Sequence, residues 1–426
     1  MTAHLLARLK GGCPAVASPW GWCLFQLGLL LLPSTVLLAS LLFVPALVLG
    51  SLRREGAYWC DRWNWPLLGA GVLMVVSCFS ATRSDLAWAG LANWLPFFWA
   101  FWGFQPYVAE AVARRRAALW FVAGTVPVVL TGLGQLWWGW QGPWQVLEGL
   151  VIWYVEPGGN PEGRLSGLFD YANIAAAWMA LVWPLLLAAL VQPGLTRSRR
   201  TVVLILAVAL VTALVLTDSR NGWGALVLAV PLVLGPVSWP WLLPLLALAL
   251  VPVLVAVVPG VPAPLQDPAR ALVPESVWSR LSDSRHAGER ALASTRLSQW
   301  GVALQWIGER PWLGWGAAAF SLLYQQQTGQ WHGHSHNLPL ELAVSHGVPA
   351  ALAVVGLVLV LLIVSLRCSR MGLFDRAWWA AVLVLVALHG TDMPLFDSRL
   401  NIAGWILLAG LRSWIRNAET VSPSPN

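Results

Sequence analysis

Arg164 and Arg220 stand where a guanidinium can meet an anion. Arg164 lies in Gly163-Arg164-Leu165-Ser166-Gly167-Leu168-Phe169-Asp170-Tyr171-Ala172-Asn173, a glycine-flexed stretch that runs into a helix expected to begin near Tyr171. There a guanidinium forks onto two phosphate oxygens, and the helix N-terminus adds a favourable potential for the anion. A structural ion pair with Asp170 or Glu162 is the plainer use of the same side chain. Arg220 lies in Thr217-Asp218-Ser219-Arg220-Asn221-Gly222, which reads as a tight turn between two helices, and pairing with Asp218 is its plainer use. Two arginines held on one face are what a diphosphate leaving group requires, because its negative charge grows as it departs.

His332, His334 and His336 alternate in Trp331-His332-Gly333-His334-Ser335-His336-Asn337, just before an apolar run. Alternation puts imidazoles on one face of an extended segment, the arrangement of a metal site. No carboxylate or thiol is near in sequence, and Gly333 loosens the geometry. A single histidine at a helix entrance, taking a proton or orienting a substrate, is the simpler chemistry; three solvated loop histidines would do nothing. No metal and no cofactor is expected. Disulfides are not expected either: the cysteines are Cys13, Cys23, Cys60, Cys78 and Cys368, without a Cys-x-x-Cys pair.

A membrane must supply the frame for these residues. Of the 426 residues, 58% are hydrophobic and 11% charged, and the mean hydropathy of +0.66 exceeds that of water-soluble domains. The apolar runs predict an all-α polytopic membrane protein, a single membrane domain over residues 1–426, with about twelve transmembrane helices of roughly 20 residues each. The runs are 19–32, 34–52, 66–82, 93–112, 117–139, 171–191, 201–217, 222–238, 241–259, 338–366, 377–390 and 399–414. Pro33 and Ser34 alone separate the first two, as a tight hairpin or a single bent element. Many of the thirty tryptophans sit at the ends of runs, as an interfacial belt does.

Arginine clusters orient the frame. Arg53, Arg54 and Arg62; Arg114 to Arg116; Arg197, Arg199 and Arg200; Arg367, Arg370 and Arg376; and Arg412 and Arg416 all fall on one side of a twelve-span chain, together with Arg8 and Lys10. That side is cytoplasmic by the positive-inside rule, and so are both termini. The net charge of +7 is then a topology signal and gives no support for a nucleic-acid partner. Outside remain residues 140–170, the turn 217–222 and a long loop, 261–337, too long for a passive connector. This loop is expected to hold amphipathic helices: one with Leu297, Trp300, Leu304 and Ile307 on its apolar face, Ser294 as cap and Pro311 as stop, and a second from Ala317 to Gln326. Such helices can lie on the outer leaflet, among the membrane lipids.

His336-Asn337, nine residues, then Gly347-Val348-Pro349-Ala350 resembles the signature of the O-antigen ligase and polymerase superfamily. Its ligases prefer Gly, Thr or Tyr where this chain has Ala350, a departure that weakens the ligase-specific reading. Arg164-Leu165-Ser166-Gly167-Leu168, followed by Phe169 and Asn173, is similar to the outer-loop motif of that superfamily. Thr217-Asp218-Ser219-Arg220 resembles its Ser-Arg turn, and Pro311-Trp312-Leu313-Gly314-Trp315-Gly316 with Phe320 its entry to the long loop. The motifs come in the expected order over a catalytic region of roughly residues 160–350.

The resemblance implies a metal-independent glycosyltransferase of the bacterial inner membrane with an extracytoplasmic active site, serving lipopolysaccharide or another surface polysaccharide. Its donor would be an undecaprenyl-diphosphate-linked glycan, and its acceptor a sugar hydroxyl on lipid A core or on another lipid-linked glycan. Arg164 and Arg220 would hold the diphosphate, His336 would orient or deprotonate the attacking hydroxyl, and Asn173, Asn337 and Gly347 would support them, Asn337 by setting the histidine tautomer. His332 and His334 fall outside the motif and are expected to tolerate alanine. The same superfamily domain occurs in proteins linked to bicarbonate accumulation, so a transporter is the alternative. Transport favours ionisable residues near the bilayer midplane, and here Glu110, Glu341, His346 and His389 lie towards span ends.

Overall fold

The computed structural model describes residues 10–54, 56–282, 295–368 and 371–421. They form a helical membrane bundle with one short hairpin, β1 (Trp144–Val146) paired antiparallel with β2 (Val151–Trp153). The helices in chain order are α1 (Pro19–Leu31), α2 (Val36–Leu52), α3 (Trp65–Phe79), α4 (Ser84–Gly90), α5 (Leu95–Gly103), α6 (Ala111–Trp137), α7 (Ala172–Val191), α8 (Arg197–Leu216), α9 (Arg220–Leu234) and α10 (Trp239–Val257). There follow α11 (Ala263–Leu272), α12 (Glu275–Leu281), α13 (Arg296–Glu309), α14 (Ala319–Thr328), α15 (Leu338–His346), α16 (Val348–Arg367), α17 (Leu373–His389) and α18 (Ser398–Val421). By length and apolarity α6, α7, α8, α16 and the segment Pro236–Val257 suffice to cross a bilayer.

α7 is the centre of the bundle. It is apolar on all sides, so it is stable only when surrounded, and every residue from Ala175 to Ala189 is buried. Its alanines let α6, α8, α9 and α17 approach closely. α8 and α10 are apolar too but keep Val202, Ile205, Val208, Leu245, Leu248 and Leu254 exposed, the surface of helices that face lipid.

The first two runs form a tight hairpin, Phe25 of α1 meeting Phe43 of α2 edge-on. Two other runs are broken. Residues 93–112 hold α5, nine residues long and at about 1.5 Å per residue too short to cross, followed by a 3-10 turn over Gln105–Val108. Residues 338–366 divide at Gly347 into α15 and α16.

The arginine-rich connections meet at one end of the bundle. Asp61 receives Arg54, Arg412 and Arg416 at 3.4, 3.2 and 2.5 Å. Arg114 pairs with Asp375 at 2.9 Å, and Arg115 donates to Gln192. α8 starts beside this end, at Arg197, and finishes at the Thr217 turn, on the opposite end.

The expected helix after residue 294 is α13, capped by Thr295, whose Oγ1 accepts from Ser298 N–H; Ser294 lies outside the described residues. Its buried stripe is Gln299, Ala303 and Trp306. Leu297 and Leu304, on the expected apolar face, are 76% and 59% exposed. Trp306 wins the inner face because it packs against Phe320 and Tyr324 of α14, which leaves the leucine face outward.

Candidate active site

Arg164 is positioned by a loop that α6 holds from beneath. Gln135, 1% exposed, accepts from the N–H groups of Ser166 and Gly167 through Oε1 and donates to Glu156 O through Nε2. Leu165, fully buried, donates its N–H to Leu216 O, which ties the loop to the end of α8. The guanidinium is then fixed on neutral partners: Nε donates to Thr217 O at 2.8 Å and Nη2 to Asn173 Oδ1 at 2.6 Å. No ion pair with Asp170 or Glu162 forms among the described residues, so the positive charge stays uncompensated by those carboxylates. Burial, with Arg280 adding to it, pulls the guanidinium below its ordinary pKa.

The bond to Thr217 O brings Arg164 against the turn that carries Arg220, the first residue of α9. Ser219 caps α9 by accepting from Gly222 N–H. Asp218, at φ +52°, pairs with Arg280 of α12 at 3.0 Å. Arg280 carries no local motif, and the sequence reading passed over it.

His336 sits at φ +53°, in the left-handed region, a costly conformation for a residue with a side chain and common at functional sites. Its Nδ1 lies 3.0 Å from Asp392 Oδ1. Asp392 belongs to the segment between α17 and α18, a second residue that sequence reasoning missed. Its Oδ2 accepts from Asn173 Nδ2 at 3.4 Å and lies 3.7 Å from Arg296. Burial alone would raise the Asp392 carboxyl, but the His336 hydrogen bond and the charges of His336 and Arg296 bring it below its usual value. A carboxylate on Nδ1 fixes the proton there and leaves Nε2 with its lone pair, the form in which an imidazole takes a proton.

Asn337 does a different job from the one expected. Its Oδ1 accepts from Leu340 N–H, capping α15, and its Nδ2 donates to Gly390 O, which holds α17 and the Asp392 segment against His336. Asp392 occupies the tautomer-setting position instead. His332 turns away onto the Tyr324 ring, whereas His334 packs against His336 with ring centroids 4.3 Å apart.

The three-histidine metal cluster is therefore not assembled. A different set is: the ligand atoms of His334, His336 and Asp392 lie within 4.8 Å of one another. Within this set His334 Nδ1 accepts from the His336 N–H, and Asp392 Oδ1 meets His336 Nδ1 and accepts from Met393 N–H.

Gly347 shows why two distant motifs belong together. At φ +83° it breaks α15 from α16, and a Cβ there would run into Trp312 O. The Pro311–Gly316 stretch packs into that break: Trp315 N–H donates to Val344 O, Gly316 N–H to Ser345 O and Val348 N–H to Pro311 O. The entry to the long loop and the helix that follows His336 thus form one unit.

Arginines from three segments, a histidine with its carboxylate, and a capped helix entrance converge at one end of a membrane bundle. Residues 204–355 match the family model described as O-antigen ligase; no curated protein matches the chain. Arg220, Arg280, Arg296, His336 and Gly347 fall inside the matched segment, while Arg164, Asn173 and Asp392 join it from outside. Members of this family are ligase- or polymerase-type glycosyltransferases that use lipid-linked glycans. Through this segment the chain is similar to the O-antigen ligase family.

Proposed function

We propose that the protein transfers a glycan from an undecaprenyl-diphosphate-linked donor to a sugar hydroxyl of lipid A core or of a second lipid-linked glycan, without a metal. One observation carries this reading: His336 reaches Arg164 through Asp392 and Asn173, so proton acceptor and anion holder form one hydrogen-bonded network. The acceptor hydroxyl loses its proton to His336 Nε2 as its oxygen forms a bond to the anomeric carbon. The bond from that carbon to the diphosphate oxygen breaks, and the diphosphate departs with the electron pair into the field of Arg164 and Arg220. Arg280 and Arg296 add to that field. The mutual hydrogen bonds of His334, His336 and Asp392 favour acid–base work over metal ligation.

The test is transfer by the purified protein from a glycan-linked undecaprenyl diphosphate to a lipid-linked sugar. Release of undecaprenyl diphosphate matched by glycosylated acceptor is expected; an inactive protein with every such donor would reject the proposal. The lipopolysaccharide ladder of a deletion strain separates the two outcomes. Loss of all long chains means ligation, and survival of core plus one repeat means polymerisation.

The site is assigned to the outer face of the inner membrane, with both termini inside, because the arginine-rich connections gather at the opposite end. Single cysteines at Ser198 and Ser282, in a background without reactive native thiols, should report this. In intact spheroplasts an impermeant maleimide is expected to label Ser282→Cys and spare Ser198→Cys; the reverse pattern would invert the topology.

A further inference from the structure

His336 has a second flank, and its chemistry is unlike that of the arginine side. A cavity of ≈ 480 Å³ opens there, in the range of about 300–1,000 Å³ common for small-molecule sites. Asn93, Trp94, His334, Glu341, Ser345, His346 and Phe396 supply its polar and aromatic walls, and among the described residues no arginine or lysine lines it. Glu341 is 5% exposed, with Oε2 accepting from Ser335 N–H at 2.9 Å. His334 stands between the cavity and His336. Burial, with His336 adding to it, pushes the His334 pKa down to about 4, so the ring is neutral at pH 7. Its Nδ1 accepts from the His336 N–H at 3.2 Å, which places the ring proton on Nε2 as a donor.

We propose that this cavity is the acceptor subsite, taking an uncharged, polyhydroxylated sugar ring whose attacking hydroxyl is presented to His336. The inference rests on the glycosyltransfer reading and adds where the acceptor lies. Charge separates the two substrates: the arginine flank attracts a diphosphate, while a cavity with a buried acid and no cation repels one. Hydroxyls need both acceptors and donors, and Glu341 and His334 Nε2 supply one of each. Trp94 and Phe396 give the apolar walls that a ring needs beside its hydroxyls. Trp94 and Asn93, in the connection between α4 and α5, together with Phe396, lie outside the segment that matches the family model. The N-terminal third and the α17–α18 connection thus supply the aromatic walls, while Glu341 and His334 of the matched segment supply the polar ones.

The experiment uses the full-length purified protein, saturating glycan-linked undecaprenyl diphosphate and a varied concentration of a lipid-linked neutral sugar. Glu341→Gln and Phe396→Ala are each expected to raise the acceptor KM about tenfold or more, the loss of roughly one substrate hydrogen bond or wall contact, while the donor KM stays unshifted. Phe396 is 48% exposed, so its truncation leaves the core intact and guards against a mere folding failure. An active wild-type protein whose two variants keep the wild-type acceptor KM, or raise the donor KM in parallel, would overturn the subsite alone. A wild-type protein that releases no diphosphate from any lipid-linked donor would overturn the glycosyltransfer reading and the subsite with it.

Discussion

His336→Ala is expected to lower transfer by about 10²–10⁴-fold at wild-type protein levels, the range that a positioned proton acceptor contributes. The side chain is held in one orientation by Asp392 and by a left-handed backbone. Asp392→Asn should fall almost as far although its shape is kept. An amide can present its oxygen or its nitrogen to Nδ1, and it cannot stabilise the imidazolium that forms during transfer. His332→Ala should remain near wild type, because that ring rests on Tyr324, away from the network. Chelator treatment decides between acid–base and metal chemistry. Equal loss in His334→Ala, His336→Ala and Asp392→Asn, together with inhibition by chelator that added metal reverses, would establish a metal site. Activity indifferent to chelator is the outcome the hydrogen-bond pattern predicts.

Arg164→Lys is expected to cost about 10²–10³-fold in turnover, the effect of removing one donor aimed at developing negative charge. Charge is retained in this variant and geometry is not. The guanidinium plane is fixed by two bonds, to Thr217 O and to Asn173 Oδ1, and its remaining N–H groups are thereby aimed. An ammonium is a point charge on a flexible stem and cannot hold both partners while facing a diphosphate. Arg220→Lys should also lose most activity, because an ammonium cannot fork onto two phosphate oxygens. Arg83→Lys, on an exposed pair with Asp85, serves as the control and should behave as wild type. Wild-type turnover by both Arg164→Lys and Arg220→Lys would show that these side chains are structural.

The site and its frame differ in how far they could be read in advance. The sequence alone determined that this is a helical membrane protein and where many of its apolar helices run, because an unbroken apolar stretch is a property of adjacent residues. It also singled out Arg164, Arg220, His336 and Gly347, each beside a glycine, a turn or a helix entrance that marks a local geometry. Only the tertiary structure decided what these residues touch. Asp392 stands 56 residues from His336 between an ordinary threonine and methionine, and nothing local announces it as a partner. Arg280 and Arg296 sit in no local motif, and the burial of Trp306 depended on α14 lying against α13. The acceptor cavity joins Asn93 and Trp94 to Glu341 across most of the chain. In a bilayer, hydropathy drives each helix into the membrane but does not choose its neighbours. That choice falls to the fit of small residues and interhelical hydrogen bonds, which exist only once the helices have met.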